Sequence, residues 1–160
     1  MTEPSLTHLD ENGRARMVDV SEKAASSRTA TARGVVRMSA ETLSRAMRGD
    51  VKKGEVRTVS EIAGIMGAKR TAELIPLCHP LPLNVVDVRV SADETVPGYV
   101  VEATARTNGP TGVEMEALTA VSIACLTVYD MLKAIDRDMS IEQIRVMEKI
   151  GGSSGAYTRA

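Results

Sequence analysis

No charged residue lies between Glu116 and Asp130, a run of Ala, Leu, Val, Ile, Thr, Ser, Cys and Tyr with acids at its start and Asp130 and Lys133 at its end. Its length suits a helix better than a strand. A helix with so little polarity is stable in water only when buried. The run therefore predicts one long buried helix over 113–136. Charges at the edge of a buried helix are costly unless paired or used, so chemistry is expected at its two ends. Val113, Leu118, Val121, Ile123, Leu126, Val128, Met131, Leu132 and Ile135 point in nearly every direction around the axis. One sheet covers one face of a helix, so a second partner is needed. That partner is expected to be another copy of the chain; cover from the domain's own helices is the alternative.

The rest of the chain supplies a sheet and shorter helices. Alternating residues predict strands over 15–20, 28–38, 84–92, 99–107 and 141–150. Ser39 is a fitting N-cap for a short helix that stops at Gly49. A second helix is predicted over 55–73, and its two glycines suggest close packing against a neighbour. Asp10-Glu11-Asn12-Gly13 reads as a turn, and 21–27 as a mobile loop. Three prolines in Leu74-Ile75-Pro76-Leu77-Cys78-His79-Pro80-Leu81-Pro82-Leu83 forbid helix there, which predicts a stiff, extended, apolar loop. After the N-terminal strand the order is β–α–α–β–β–α–β, the split βαβ pattern of a ferredoxin-like α+β domain with an antiparallel sheet. One domain is expected to span 1–160, with 1–10 and 152–160 loose.

Composition excludes several classes. The 160 residues are 43% hydrophobic and carry a net charge of −1, so no global field draws the chain to nucleic acid or an anionic membrane. With no Phe or Trp and only three Tyr, stacking platforms for single strands are not expected. The two cysteines, Cys78 and Cys125, make no disulfide framework. Met1-Thr2-Glu3-Pro4-Ser5 lacks a secretory pattern, and the uncharged run falls short of the roughly 20 residues of a membrane span. A cytoplasmic location is the expectation.

Asp130 and Lys133 share a helix face; they can form an acid/base pair or a surface ion pair. Glu114 and Glu116, two apart, cannot share a face, and both gain from the helix dipole. The separation of Glu116 and Asp130 along a helix is roughly 21 Å. A small-molecule site using both ends must therefore draw them from different subunits. His79 sits on the proline-stiffened loop, which can aim an imidazole; a packed, hydrogen-bonded histidine is the alternative. Zinc-ligand spacing is missing around Cys78-His79. Lys52-Lys53-Gly54 can take an anion if Gly54 lets backbone N–H groups approach a phosphate before the next helix. Gly151-Gly152-Ser153-Ser154-Gly155 has the composition of a phosphate nest.

Three motifs, Leu74-Ile75-Pro76-Leu77-Cys78-His79-Pro80, Gly112-Val113-Glu114-Met115-Glu116-Ala117-Leu118 and Tyr129-Asp130-Met131-Leu132-Lys133-Ala134, resemble those of the cyclic pyranopterin monophosphate synthases of molybdenum cofactor biosynthesis. The likeness covers almost the whole chain. It implies a lyase that converts 3′,8-cyclo-7,8-dihydro-GTP into cyclic pyranopterin monophosphate and releases pyrophosphate. It also implies a ferredoxin-like fold and a homo-hexamer, a trimer of dimers with sites at subunit interfaces. Under it Asp130 is the catalytic acid/base and Lys133 its partner. Leu77, Cys78, His79, Glu114, Met115 and Glu116 line the substrate pocket, and Lys53 and Lys149 lie near the substrate. Ser153 stands where such enzymes often carry Lys. No cofactor is firmly implied; Mg²⁺ accompanying the triphosphate is the one candidate. A nucleotide-sensing module without turnover would keep the basic clusters but need no Asp130–Lys133 pair. A purely structural assembly subunit would take no ligand at all. The shared-site idea suggests mixing Lys53→Ala and Asp130→Asn chains, on the premise that these residues serve one site from different subunits.

Overall fold

A computed structural model of the chain describes residues 8–160. The uncharged run folds as α4 (Glu114–Leu132), in which Ala117, Ala120, Val121, Ala124, Cys125, Val128 and Leu132 are fully buried. It packs on a sheet whose strands are β1 (Ser26–Arg37), β2 (Leu83–Asp93), β3 (Gly98–Gly109), β4 (Ser140–Ile150) and the short β5 (Tyr157–Thr158). The spatial order is β2-β3-β1-β4-β5, and every neighbouring pair is antiparallel. The first four strands, with α2 (Val56–Lys69) and α4 as crossovers, make the ferredoxin-like α+β arrangement. Inward-facing Ala30, Ala32, Val36, Val88, Val90, Val101, Ala103 and Ala105 meet the helices, as the period-two alternation requires.

The second partner that α4 needs comes from inside the chain. Helix α2 lies against it, and the two glycines predicted to permit close packing do so. A Cβ at Gly64 would sit 3.0 Å from the Ala120 carbonyl oxygen, and one at Gly67 would sit 2.7 Å from Ile123 Cγ1. Cover by the domain's own helix, the alternative above, therefore accounts for most of the apolarity of α4. Uncovered apolar side chains remain on the outer side of the helical layer: Val59, Ile62 and Met66 on α2, and Leu126 on α4. Helix α2 also covers the free edge of β2: Arg57 Nε donates to the Val90 carbonyl and Val90 N–H donates to Glu61 Oε1, both at 3.0 Å. An edge occupied in this way cannot pair there with another strand.

Several local expectations change. The strand predicted over 15–20 is absent apart from an isolated Leu9–Ala15 bridge. The Asp10–Gly13 turn forms, closed by Gly13 N–H to the Asp10 carbonyl at 2.9 Å. The loop predicted over 21–27 gives way to β1 at Ser26. Ser39 caps α1 (Ala40–Met47), as expected. The helix predicted over 55–73 breaks at Arg70 into α2 and α3 (Thr71–Leu74). Residues 74–83 are not uniformly extended: Cys78 N–H donates to the Ile75 carbonyl at 3.1 Å, a turn with Pro76 at its favoured second position.

The segments expected to be loose divide. Residues 1–7 lie outside the described residues. The C-terminal segment is tied: Tyr157 and Thr158 pair with β4, and Arg159 N–H donates to the Met147 carbonyl at 2.8 Å. Gly151, Gly152 and Gly155 have positive φ and turn the chain back onto β4, so the glycines that suggested looseness build a reversal.

Candidate functional site

The N-terminal end of α4 faces a cleft of about 380 Å³ lined by Leu77, Cys78, His79, Glu114, Met115 and Glu116. All six were expected to share a pocket, and they do. The loop that carries Leu77–His79 is anchored at its far end, where Thr107 Oγ1 donates to the Pro82 carbonyl at 2.6 Å. The opposite wall comes from His8, Val18, Val20 and Lys23. Sequence reading missed this wall. It assigned Val18 and Val20 to a strand and placed His8 in a loose segment.

Glu116 is the unusual group of this cleft. It is only 4% exposed, and burial pushes its carboxyl above the ordinary range, with the neighbouring Glu114 charge adding to the push. The helix dipole alone had suggested two comfortable carboxylates; desolvation prevails at Glu116 because its side chain turns inward. Burial, with help from Glu116, also raises the Cys78 thiol, which favours its neutral form.

Glu114 turns the other way, as its two-residue offset requires. It meets Lys149 of β4 at 3.3 Å. The pair borders a second, more polar cleft of about 220 Å³, lined by Lys23, Arg28, Lys149, Ser153 and Ser154 and sharing Lys23, Thr111, Gly112 and Glu114 with the first. Arg28 is fixed by donating from Nε to the Gly109 carbonyl at 3.0 Å and from Nη2 to that of Pro110 at 3.2 Å. Lys149 also donates to Ser154 Oγ. Three cations thus border this cleft with Ser153 in place. A Cβ at Gly152 would collide with Arg28 Nη1, so this glycine permits the approach of the turn. Neither Arg28 nor Lys23 was among the expected site residues. Nothing local in the sequence joins them to Lys149.

The C-terminal end of α4 differs. Lys133 Nζ meets Asp130 Oδ1 at 2.7 Å, and Lys53 Nζ meets Asp130 Oδ2 at 2.7 Å. Lys53 also donates to the Asp130 carbonyl at 2.9 Å. The three side chains are each about half exposed. Hydrogen bonds from Lys133 and then Lys53 hold the Asp130 carboxyl down at about 2. Lys53 and Asp130 therefore belong to one cluster of one chain, which corrects the premise that they serve a site from different subunits. The backbone phosphate site imagined at Gly54 is also absent: Gly54 N–H donates to the Val51 carbonyl at 3.2 Å. The start of α2 is filled by its own Glu55 carboxylate, which accepts from Arg57 N–H at 3.0 Å and Thr58 N–H at 2.7 Å.

The expected residues thus form two groups, one at each end of α4. Among the described residues, no cluster of three or more His, Cys, Asp or Glu side chains is placed to hold a metal ion. Helix α4 is apolar and long enough to cross a membrane by those measures alone, but its burial against α2 and the sheet makes it a core helix.

A family description, the MoaC family, matches residues 17–152. A protein of Cereibacter sphaeroides named cyclic pyranopterin monophosphate synthase is 61% identical over 152 residues, covering 95% of this chain and 96% of its own length. Proteins of the same name from Methylobacterium sp. strain 4-46 and Methylobacterium nodulans are 61% and 60% identical, each with 96% of both chains covered. The residues matched by the family description include both ends of α4, the cleft loop and the Lys23, Arg28 and Lys149 side of the polar cleft, and on these grounds the chain belongs to the MoaC family.

Proposed function

We propose that the chain is a cyclic pyranopterin monophosphate synthase of molybdenum cofactor biosynthesis, acting in the cytoplasm. It takes 3′,8-cyclo-7,8-dihydro-GTP and releases pyrophosphate. The observation that carries the reading is the division of its polar machinery. A concave, cation-bordered cleft lies at one end of α4, and an exposed Lys53–Asp130–Lys133 cluster lies at the other. A substrate with a fused ring system and a triphosphate needs both functions. A two-fold pair of chains brings the first end of one helix to the second end of its partner, and three such pairs give the proposed hexamer. The uncovered Val59, Ile62, Met66 and Leu126 side chains support an assembled state.

In this reading Leu77, His79, Met115 and Glu116 hold the rings, and Cys78 excludes water beside them. Lys23, Arg28 and Lys149 take phosphate oxygens, where cations stabilise charge as pyrophosphate leaves. Cyclic phosphate formation needs a ribose oxygen to attack the innermost phosphorus while the bond to the departing pyrophosphate breaks. The hydroxyl proton must then be accepted, and ring opening and reclosure need further proton transfers. Asp130 with its two lysines supplies that machinery. Asp130, a carboxylate flanked by two lysines, accepts the hydroxyl proton, and the Lys53 and Lys133 ammonium groups bonded to it donate protons where the rings open and reclose. Any Mg²⁺ would enter on the triphosphate, since Glu114 and Asp130 are already paired with lysines.

The test mixes an inactive Asp130→Asn chain with an inactive Glu116→Gln chain and follows pyrophosphate and pterin together. The expected result is recovery of about a quarter of the wild-type rate by random two-fold pairing. No recovery despite confirmed subunit exchange rejects the shared site. Binding of the cyclised GTP without turnover by the wild type would make the chain a sensing module, and no binding at all would make it a structural subunit.

A further inference from the structure

The Lys53–Asp130 contact joins segments 77 residues apart, and both partners are exposed. Long exposed side chains gain little from pairing unless the backbone already holds them in place. Lys53 lies in the connector that follows α1, and Lys133 lies at the end of α4. Asp136 bridges these two regions. Its Oδ2 accepts from Ser39 N–H at 3.0 Å and from Thr42 Oγ1 at 3.1 Å, while its Oδ1 accepts from Asp138 N–H at 3.0 Å. Ser39 and Thr42 are themselves joined through their hydroxyls at 2.8 Å, and Thr42 is 2% exposed. The first of these bonds, from Ser39, also holds the Asp136 carboxyl below its ordinary range. Tyr129 steadies the same turn by donating to the Arg137 carbonyl at 3.2 Å.

We infer that Asp136 is a positioning residue: it fastens the start of α1 to the turn after α4 and thereby sets Lys53 against Asp130. Lys133 needs no such help, because it reaches Asp130 within one helix. The two lysines of the cluster therefore depend on Asp136 unequally. The inference rests on the proposed function only where turnover is concerned; the placement of Lys53 is independent of it.

The experiment compares wild type, Asp136→Ala and Asp136→Asn by limited acylation with acetic anhydride, reading each lysine by peptide mass spectrometry. Asp130→Asn sets the ceiling. In Asp136→Ala the reactivity of Lys53 should rise about threefold or more towards that ceiling, while Lys133 stays close to wild type. In Asp136→Asn the amide oxygen can still accept from Ser39 and Thr42, so Lys53 should remain protected. For the reaction, Asp136→Ala should lower kcat about tenfold with little change in KM, and Asp136→Asn should restore most of it. If Asp136→Ala fails to fold, Thr42→Val, which removes the hydroxyl bonds to Asp136 and to Ser39, is read in the same way. Unchanged Lys53 protection in a folded Asp136→Ala or Thr42→Val protein overturns the inference, as does an equal rise at Lys133. Absence of turnover in the wild type defeats the proposed function but leaves the acylation result to decide the role of Asp136.

Discussion

The two ends of α4 each place a carboxylate beside other charged or titratable groups, yet physics moves those carboxylates in opposite directions. At the first end Glu116 is buried near Glu114 and Cys78, and loss of water raises its pKa. At the second end Asp130 is exposed between two ammonium groups, and their hydrogen bonds lower it to about 2. One end offers a shaped, partly apolar cleft; the other offers charge on an open surface. Such a contrast is expected of a site whose binding and proton-handling parts are separate, since pKa values pushed apart by environment mark different roles.

The largest effect should come from the exposed end. Asp130→Asn should cut turnover about 10³-fold while leaving binding of the cyclised GTP nearly intact, measured by pyrophosphate release and by calorimetric titration. Equal losses in binding and turnover would erase the distinction between the ends. A smaller effect is expected at the polar cleft. Lys149→Ala should lower kcat/KM about tenfold, with a rise in KM and a fall in kcat together, because in the proposed reading this cation both holds the triphosphate and stabilises charge as pyrophosphate leaves. A fall in kcat alone would move Lys149 to the other end's function.

The smallest effect concerns stability. Glu116 has its folded pKa raised, so its favourable contribution is full below its ordinary value of 4.5 and is lost as pH rises through the folded value. Glu116→Gln should therefore raise Tm by about 3 °C at pH 7, with the gain vanishing near pH 4. Asp130 has the reverse sign. Its contribution is present above 3.8 and fades as pH falls towards 2, and it is small because the pair is exposed. Asp130→Asn should thus move Tm by less than about 1 °C at pH 7. A thermal series across pH checks both variants together. A Tm gain for Glu116→Gln that persisted at pH 4 would show that packing, and not charge burial, sets its effect.

The sequence by itself determined the buried helix, since an uncharged run of that length has no stable place in water. That the cleft loop and the first turn of α4 share a pocket was implied by the family resemblance alone; the sequence pattern also determined four sheet strands through alternation, the Ser39 cap and the close seat at Gly64 and Gly67. Each of these is a local pattern, or a motif short enough to be read within a few neighbours. Tertiary structure alone decided that α2 covers α4, that Lys53 reaches Asp130 in the same chain, and that Glu114 pairs with Lys149. It also decided that His8, Val18, Val20 and Lys23 wall the cleft and that the tail returns to β4. These contacts join residues far apart along the chain, where periodicity carries no signal. They follow from the order in which the strands assemble and from the direction in which each glycine turn sends the backbone.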